Sequence, residues 1–203
     1  MSRKRIQQLY FMRAIKALKP ATILEVGCGN GLNLFVLSAR FPDIEFSGIE
    51  LTASGVGSIE AVREMPELPT AIAKFSPLPP VDLTTHKSVQ VQQASAAELP
   101  FDDKSFDVVF TSSALEQMEA VRDPALGEIA RVARGHVVMT EPFFDVNSDG
   151  MRRHRITCGY YFQGSIAELP KHGLKPIFVT GDLPAKIAEG IAVVVAEKVG
   201  NGN

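Results

Sequence analysis

The sequence predicts an α/β fold in which short apolar strands alternate with amphipathic helices and wind into a sheet covered on both faces. Three observations predict it. The apolar run Ile23, Leu24, Glu25, Val26 ends in the glycine turn Gly27-Cys28-Gly29-Asn30-Gly31 and passes at once into a helical pattern over Leu32, Leu34, Phe35 and Leu37. Roughly twenty residues downstream, Ile44 to Leu51 alternates apolar and polar residues and ends on an acid, Glu50. Further on, Phe106-Asp107-Val108-Val109-Phe110 is a short β-branched run followed by polar Thr111-Ser112-Ser113.

Each element follows from local chemistry. Ile6, Leu9, Tyr10, Ala14, Ala17 and Leu18 recur at helical spacing, so residues 1–19 form an amphipathic helix ended by Lys19-Pro20. Plain core packing is its simplest role, with Tyr10 and Phe11 reaching a ligand cleft as the alternative. The glycines of 27–31 let the turn take positive φ and bring backbone close to a ligand, and the helix that follows points free N–H groups the same way. Between 65 and 87, Pro66, Pro69, Pro77, Pro79 and Pro80 break any regular element. This Pro-rich insertion caps the site, meets a partner chain, or does neither. Val89 to Gln93 gives a third strand and Phe106 to Phe110 a fourth. Asp123-Pro124 opens a helix that runs to Val132, and His136 to Pro142 forms a fifth strand after the short link Ala133-Arg134-Gly135. Ile166 to His172 reads as a helix, Leu174 to Thr180 and Gly190 to Val199 as two closing strands joined through Gly181-Asp182-Leu183-Pro184.

The glycine spacing selects the ligand. A dinucleotide fingerprint needs a third glycine where Leu32 stands, and a phosphate-cradling loop needs Gly-Lys-Ser/Thr, which is absent. What remains is Glu-x-Gly-x-Gly-x-Gly. With it the chain resembles the class I S-adenosylmethionine-dependent methyltransferases of the type 11 kind, whose first motif follows strand one. The likeness extends to Ala94-Ser95-Ala96-Ala97-Glu98-Leu99-Pro100-Phe101, to the fourth strand, and to the paired closing strands. It implies a Rossmann-like, doubly wound, seven-stranded sheet, mostly parallel with an antiparallel C-terminal strand, and S-adenosyl-L-methionine as cofactor.

The resemblance also implies site roles. Gly27, Cys28, Gly29 and Gly31 form the cradle, Glu25 lies near the cofactor's ammonium end, and Glu50 accepts hydrogen bonds from both ribose hydroxyls. Leu51 covers one adenine face, the backbone N–H of Ala96 reads an adenine ring nitrogen, and Ser112 meets the site from the end of the fourth strand. Ser95 stands where relatives carry an aspartate, so its adenine contact is a neutral, weaker one. Gln117 replaces a common histidine and cannot act as a base. Glu116 beside it is an alternative base or simply part of a helix start. Glu141, ending the fifth strand before Pro142, and His154, in a variable loop, are the candidate catalytic bases. Arg152, Arg153, His154 and Arg155, flanked by aromatics such as Tyr161, would suit a small-molecule acceptor bearing a carboxylate or phosphate; a solvated basic loop is the plain alternative.

Composition limits the rest. At 203 residues, 45% hydrophobic and 22% charged, one domain over 1–203 with one well-filled core is expected. A net charge of -2 gives no general pull toward nucleic acid. Two cysteines, Cys28 and Cys158, indicate neither a disulfide framework nor a metal site, and suit a reduced, cytoplasmic setting. No apolar run reaches membrane-spanning length, and a monomer or homodimer is expected. The expected reaction is in-line methyl transfer. A nicotinamide-dependent oxidoreductase and a noncatalytic cofactor-binding subunit are the rival readings.

Overall fold

A central seven-stranded sheet organises the chain. The computed structural model describes residues 2–148, 150–160, 162–184 and 189–199. Helix α1 (Arg3–Leu18) leads into β1 (Thr22–Val26), α2 (Leu32–Arg40), β2 (Glu45–Glu50) and α3 (Ala53–Arg63). After a short α4 (Thr70–Ala73) come β3 (Gln90–Gln93), β4 (Phe106–Ser112), α5 (Arg122–Val132) and β5 (Ala133–Glu141). Helix α6 (Gly150–Arg155) precedes β6 (Leu174–Thr180) and β7 (Ala192–Lys198).

The strand order is β3-β2-β1-β4-β5-β7-β6. The first five strands run parallel, whereas β7 is antiparallel to both β5 and β6. Side chains alternate across the sheet as the two-residue period of a strand demands. Leu24, Val26 and Val109 join α5 in the core on one face, while Ile23, Val108 and Phe110 join α1 and α2 on the other. Phe11 of α1 stacks on Phe110 with ring centroids 4.6 Å apart. Tyr10 packs beside Leu183, Ile191 and Val193. Both aromatics of α1 therefore serve packing, and neither borders the cavity described below.

Three departures from expectation have local causes. Strand β5 starts at Ala133 instead of His136, because α5 passes directly into extended backbone at that residue (φ -73°, ψ 128°). The segment Ile166–His172 is a 3-10 helix, with Pro170 inside it and a capping box of Ser165 and Glu168 at its start. The Pro-rich insertion folds back on the flank of α2. Its backbone closes through the Leu68 N–H donating to the Leu83 carbonyl (2.8 Å) and the Val81 N–H donating to Ala39 (2.7 Å). His86 is fully buried within it, its ring nitrogens facing the carbonyls of Leu83 (2.9 Å) and Met65 (3.1 Å). Among the described residues no helix is long and apolar enough to cross a membrane, and no group of three or more His, Cys, Asp and Glu is placed to hold a metal.

Candidate functional site

Strand β1 lies between β2 and β4, so the chain leaves the carboxyl ends of these strands in opposite directions and opens a crevice above them. A cavity of about 710 Å³ occupies that place, within the ordinary range for a small-molecule site. Its walls are the loops after β1, β2, β3 and β4, together with Lys4 from the first turn of α1.

The glycine loop forms the floor. Gly27, Gly29 and Gly31 all adopt positive φ (73°, 58° and 75°), which side-chain-bearing residues adopt only at a cost. The Gly27 and Cys28 N–H groups both donate to the Ile49 carbonyl (2.8 and 3.0 Å), fixing the exit of β1 against β2. A Cβ at Gly27 would sit 2.7 Å from that of Ala114, whereas a Cβ at Gly29 would meet nothing within 4 Å. Backbone is thus bare toward open space at Gly29. Gly31 does not border the cavity: it precedes α2 and stands against Ile59 and Phe35, which a Cβ there would meet at 2.9 and 3.1 Å.

Two carboxylates face this floor. Glu50 accepts hydrogen bonds from the Gly29 N–H (3.0 Å), the Thr52 N–H (3.0 Å) and the Thr52 hydroxyl (2.7 Å). Partial burial pushes its carboxyl up, but the bonds from Thr52 and Gly29 outweigh this and hold it below the ordinary value. The group is fixed, ionised, and still open to accept more. Glu25 is 2% exposed and accepts a hydrogen bond from the Asn33 side-chain amide, whose own oxygen accepts from Gln8. Its second oxygen has no hydrogen-bond partner among the described residues. Burial pushes the Glu25 carboxyl from 4.5 to about 7, opposed by the Asn33 bond and by the charge of Lys4. An unsatisfied buried carboxylate oxygen on a cavity wall suits a cationic group such as an ammonium.

The remaining expected contacts divide. Leu51 borders the cavity and is 64% exposed, an apolar side chain that a ligand would cover. Ala96 and Ser95 also border it, with the Ser95 hydroxyl accepting from the Ala97 N–H (3.2 Å) within its own turn. Ser112 lines the wall and accepts from the Thr140 hydroxyl (3.1 Å). Cys28 lines it too; burial, then Glu25 and Glu50, push its thiol well above the ordinary value, so it stays a neutral packing group.

The two expected bases lie elsewhere. Glu141 is fully buried and does not border the cavity, because its carboxyl sits beneath the Ser113–Met118 turn and accepts the Ala114 N–H (3.1 Å). Burial pushes it from 4.5 to about 8. The rule that strand ends face the cleft fails for this side chain at β5, because the loop after β4 covers it. His154 is exposed on α6 with its Nε2 3.6 Å from the Cys158 sulfur, outside the cavity wall. Arg153 donates to the Ser148 carbonyl (3.3 Å) and lies over the Phe144 ring, and neither Arg152 nor Arg153 borders the cavity. Tyr161 lies outside the described residues. Glu116 and Met118, by contrast, do line the cavity.

Sequence reasoning missed Lys4, Asn33 and Gln8. Asn33 had a usable signal, a polar residue flanked by Leu32, Leu34 and Phe35 in an apolar helix. Gln8 and Lys4 gave none, since each looks like the solvated face of an amphipathic helix until α1 is placed.

The methyltransferase-domain family model matches residues 24–139, more than half of the 203-residue chain. The chain is 27% identical over 144 residues to a fatty-acid O-methyltransferase of Mycolicibacterium smegmatis, a match covering 68% of this chain and 44% of that protein. It therefore spans less than half the length of that curated relative. In shape it is similar to an S-adenosylmethionine-dependent methyltransferase of Methanosarcina mazei, with TM-score 0.65 and 15% identity over 88% of this chain and 92% of the other. It is also similar to geranyl diphosphate C-methyltransferase of Streptomyces coelicolor A3(2), solved with Mg2+, geranyl diphosphate and S-adenosyl-L-homocysteine, with TM-score 0.66 and 14% identity over 96% and 79%. At these identities the structural likeness speaks to the fold.

Proposed function

The chain belongs to the S-adenosylmethionine-dependent methyltransferase-domain family, and on that premise we propose that it transfers a methyl group in line to a small-molecule acceptor. Family membership sets aside the nicotinamide alternative. The observation that carries the proposal is the pair of carboxylates on one cavity: Glu25 and Glu50 on adjacent strands, with the bare backbone of Gly29 bonded to Glu50. Such a pair suits a ligand with an ammonium at one end and vicinal hydroxyls at the other, and is poorly suited to a pyrophosphate.

S-adenosylmethionine, when bound, supplies a methyl group on a sulfonium that departs as a neutral thioether. The protein's residues bind and align. Glu50 takes the ribose hydroxyls, Glu25 the ammonium, and Leu51 with Ala96 encloses the adenine. The Ser112–Met118 wall shields the reacting region from water. Alignment of two bound molecules supplies roughly 7–11 kcal/mol, so a dedicated base is not required. For an acceptor that sheds a proton, Glu116 is the candidate base, because it lines the cavity and Glu141 and His154 do not.

The narrower reading is an anionic acceptor. It is supported by the names of two relatives, which act on a fatty acid and on geranyl diphosphate. The positive charge of Arg152 and Arg153 on α6, in the region after β5, agrees with it. Calorimetry with S-adenosylhomocysteine tests the cofactor reading: the protein binds it, and Glu50→Ala weakens binding by roughly tenfold or more. No binding, or an unchanged Kd in the variant, would remove this reading. A methyl-release screen that shows no preference for anionic over neutral acceptors would remove the narrower one.

A further inference from the structure

Among the described residues, helix α1 is the one wall of the cavity that does not come from the carboxyl end of a strand, and it brings a charge of its own. Charged residues on the wall are Lys4, Glu25, Glu50 and Glu116, so Lys4 is the sole cation among the described lining residues. It makes no salt bridge among the described residues, and its charge acts on Glu25 across the cavity end. The preceding residue holds it in place. Arg3 forms a salt bridge with Glu189 and donates to the carbonyls of Pro184 (3.1 Å) and Glu189 (3.0 Å), which ties the first turn of α1 to the segment before β7.

Lys4 and Gln8 are four residues apart and share one face of α1. Gln8 reaches Glu25 through Asn33. One helix face therefore presents a cation directly and braces an anion indirectly, at the same end of the cavity. The Glu50 end carries negative charge alone. This arrangement is complementary to a zwitterion, an ammonium and a carboxylate on one carbon, and partial exclusion of water strengthens both contacts.

We infer that Lys4 binds the α-carboxylate of the cofactor's methionine moiety while Glu25 takes the ammonium, so that α1 reads the amino-acid end of the ligand. The inference rests on the methyltransferase reading above. It makes Lys4 a cofactor-binding residue and not part of the acceptor site.

Calorimetry with two ligands separates the possibilities: S-adenosylhomocysteine, which carries the amino-acid end, and 5′-methylthioadenosine, which lacks it. Lys4→Gln should weaken S-adenosylhomocysteine binding by roughly tenfold or more, the effect of losing one charge-assisted contact, and leave 5′-methylthioadenosine unaffected. Lys4→Arg should retain most of the affinity. Unchanged S-adenosylhomocysteine binding in Lys4→Gln overturns the assignment, as does equal weakening of both ligands, which would make Lys4 a support of the fold. Failure of the unaltered protein to bind S-adenosylhomocysteine is a different result: it removes the cofactor reading itself and the Lys4 assignment with it.

Discussion

Glu25 sets the acid–base behaviour of the cavity. Its carboxyl is pushed to about 7 by burial, so near neutral pH the free site is divided between protonated and ionised forms. A ligand ammonium favours the ionised form, and binding then expels the proton wherever it is present. Affinity for S-adenosylhomocysteine should therefore fall as pH drops below about 7, approaching roughly tenfold per pH unit, and level off above it. Calorimetry at pH 6 in buffers of different ionisation enthalpy should show proton release, and Glu25→Gln should bind weakly with no such release. A pH-independent Kd in the unaltered protein would exclude Glu25 from the ammonium contact. Glu50 plays the opposite part, since its bonds from Thr52 and Gly29 keep it ionised throughout this range.

Among the elements, the loop joining β1 to α2 does most to shape the site, and its glycines are not equivalent. Gly27→Ala places a methyl 2.7 Å from the Ala114 Cβ at φ 73°, so the 113–118 turn must move and the αL cost of about 1–2 kcal/mol is added to it. Gly29→Ala meets no neighbour within 4 Å, at a residue that borders the cavity. Urea denaturation should show the larger loss of stability for Gly27→Ala, while S-adenosylhomocysteine binding should suffer in Gly29→Ala out of proportion to any loss of stability. The reverse order would mean that the loop is placed differently from this structure. This loop was legible in the sequence because apolar strand, positive-φ turn and amphipathic helix are all local signals, and the same holds for β2 ending at Glu50 and for β4. What was not legible depends on closure of the whole chain. Gly31 carries the same motif spacing as Gly29, yet Ile59 of α3 shuts it away from the cavity. Glu141 ends a parallel strand as expected, yet the turn after β4 lies over it. Lys4 and Gln8 acquire meaning only once Arg3 and Glu189 fix α1 beside Asn33. The helix at Ile166–His172 is legible as a helix, and Pro170 inside it is the local signal for its 3-10 form.

Across the whole molecule, two buried carboxyls make stability depend on pH in an uncommon direction. Glu25 and Glu141 rise from 4.5 to about 7 and about 8 on folding, both chiefly through burial. The unfolded chain ionises freely above pH 4.5, whereas the folded chain keeps these protons until pH 7 to 8. Their contribution is thus fully present below pH 4.5 and is lost as pH rises through the folded values, at up to about 1.4 kcal/mol per pH unit for each group. Carboxyls shifted the other way do not cancel this. The bond from Arg131 holds Glu128 low; at Asp107 burial pushes up, but the Ala21 and Thr22 amides outweigh it, and both groups act only on the acid side of their ordinary values. Unfolding free energy without ligand should therefore decline from pH 5.5 to pH 8 when followed by urea titration. Glu141→Gln offers the test, because a neutral amide oxygen can still accept the Ala114 N–H while nothing remains to ionise. The variant should show a shallower decline, greater stability than the unaltered chain at pH 8, and undiminished turnover at saturating acceptor. A Glu141→Gln protein with the parent's pH slope would mean that the carboxyl is not protonated in the fold, and a collapse of turnover at full stability would return Glu141 to the chemistry.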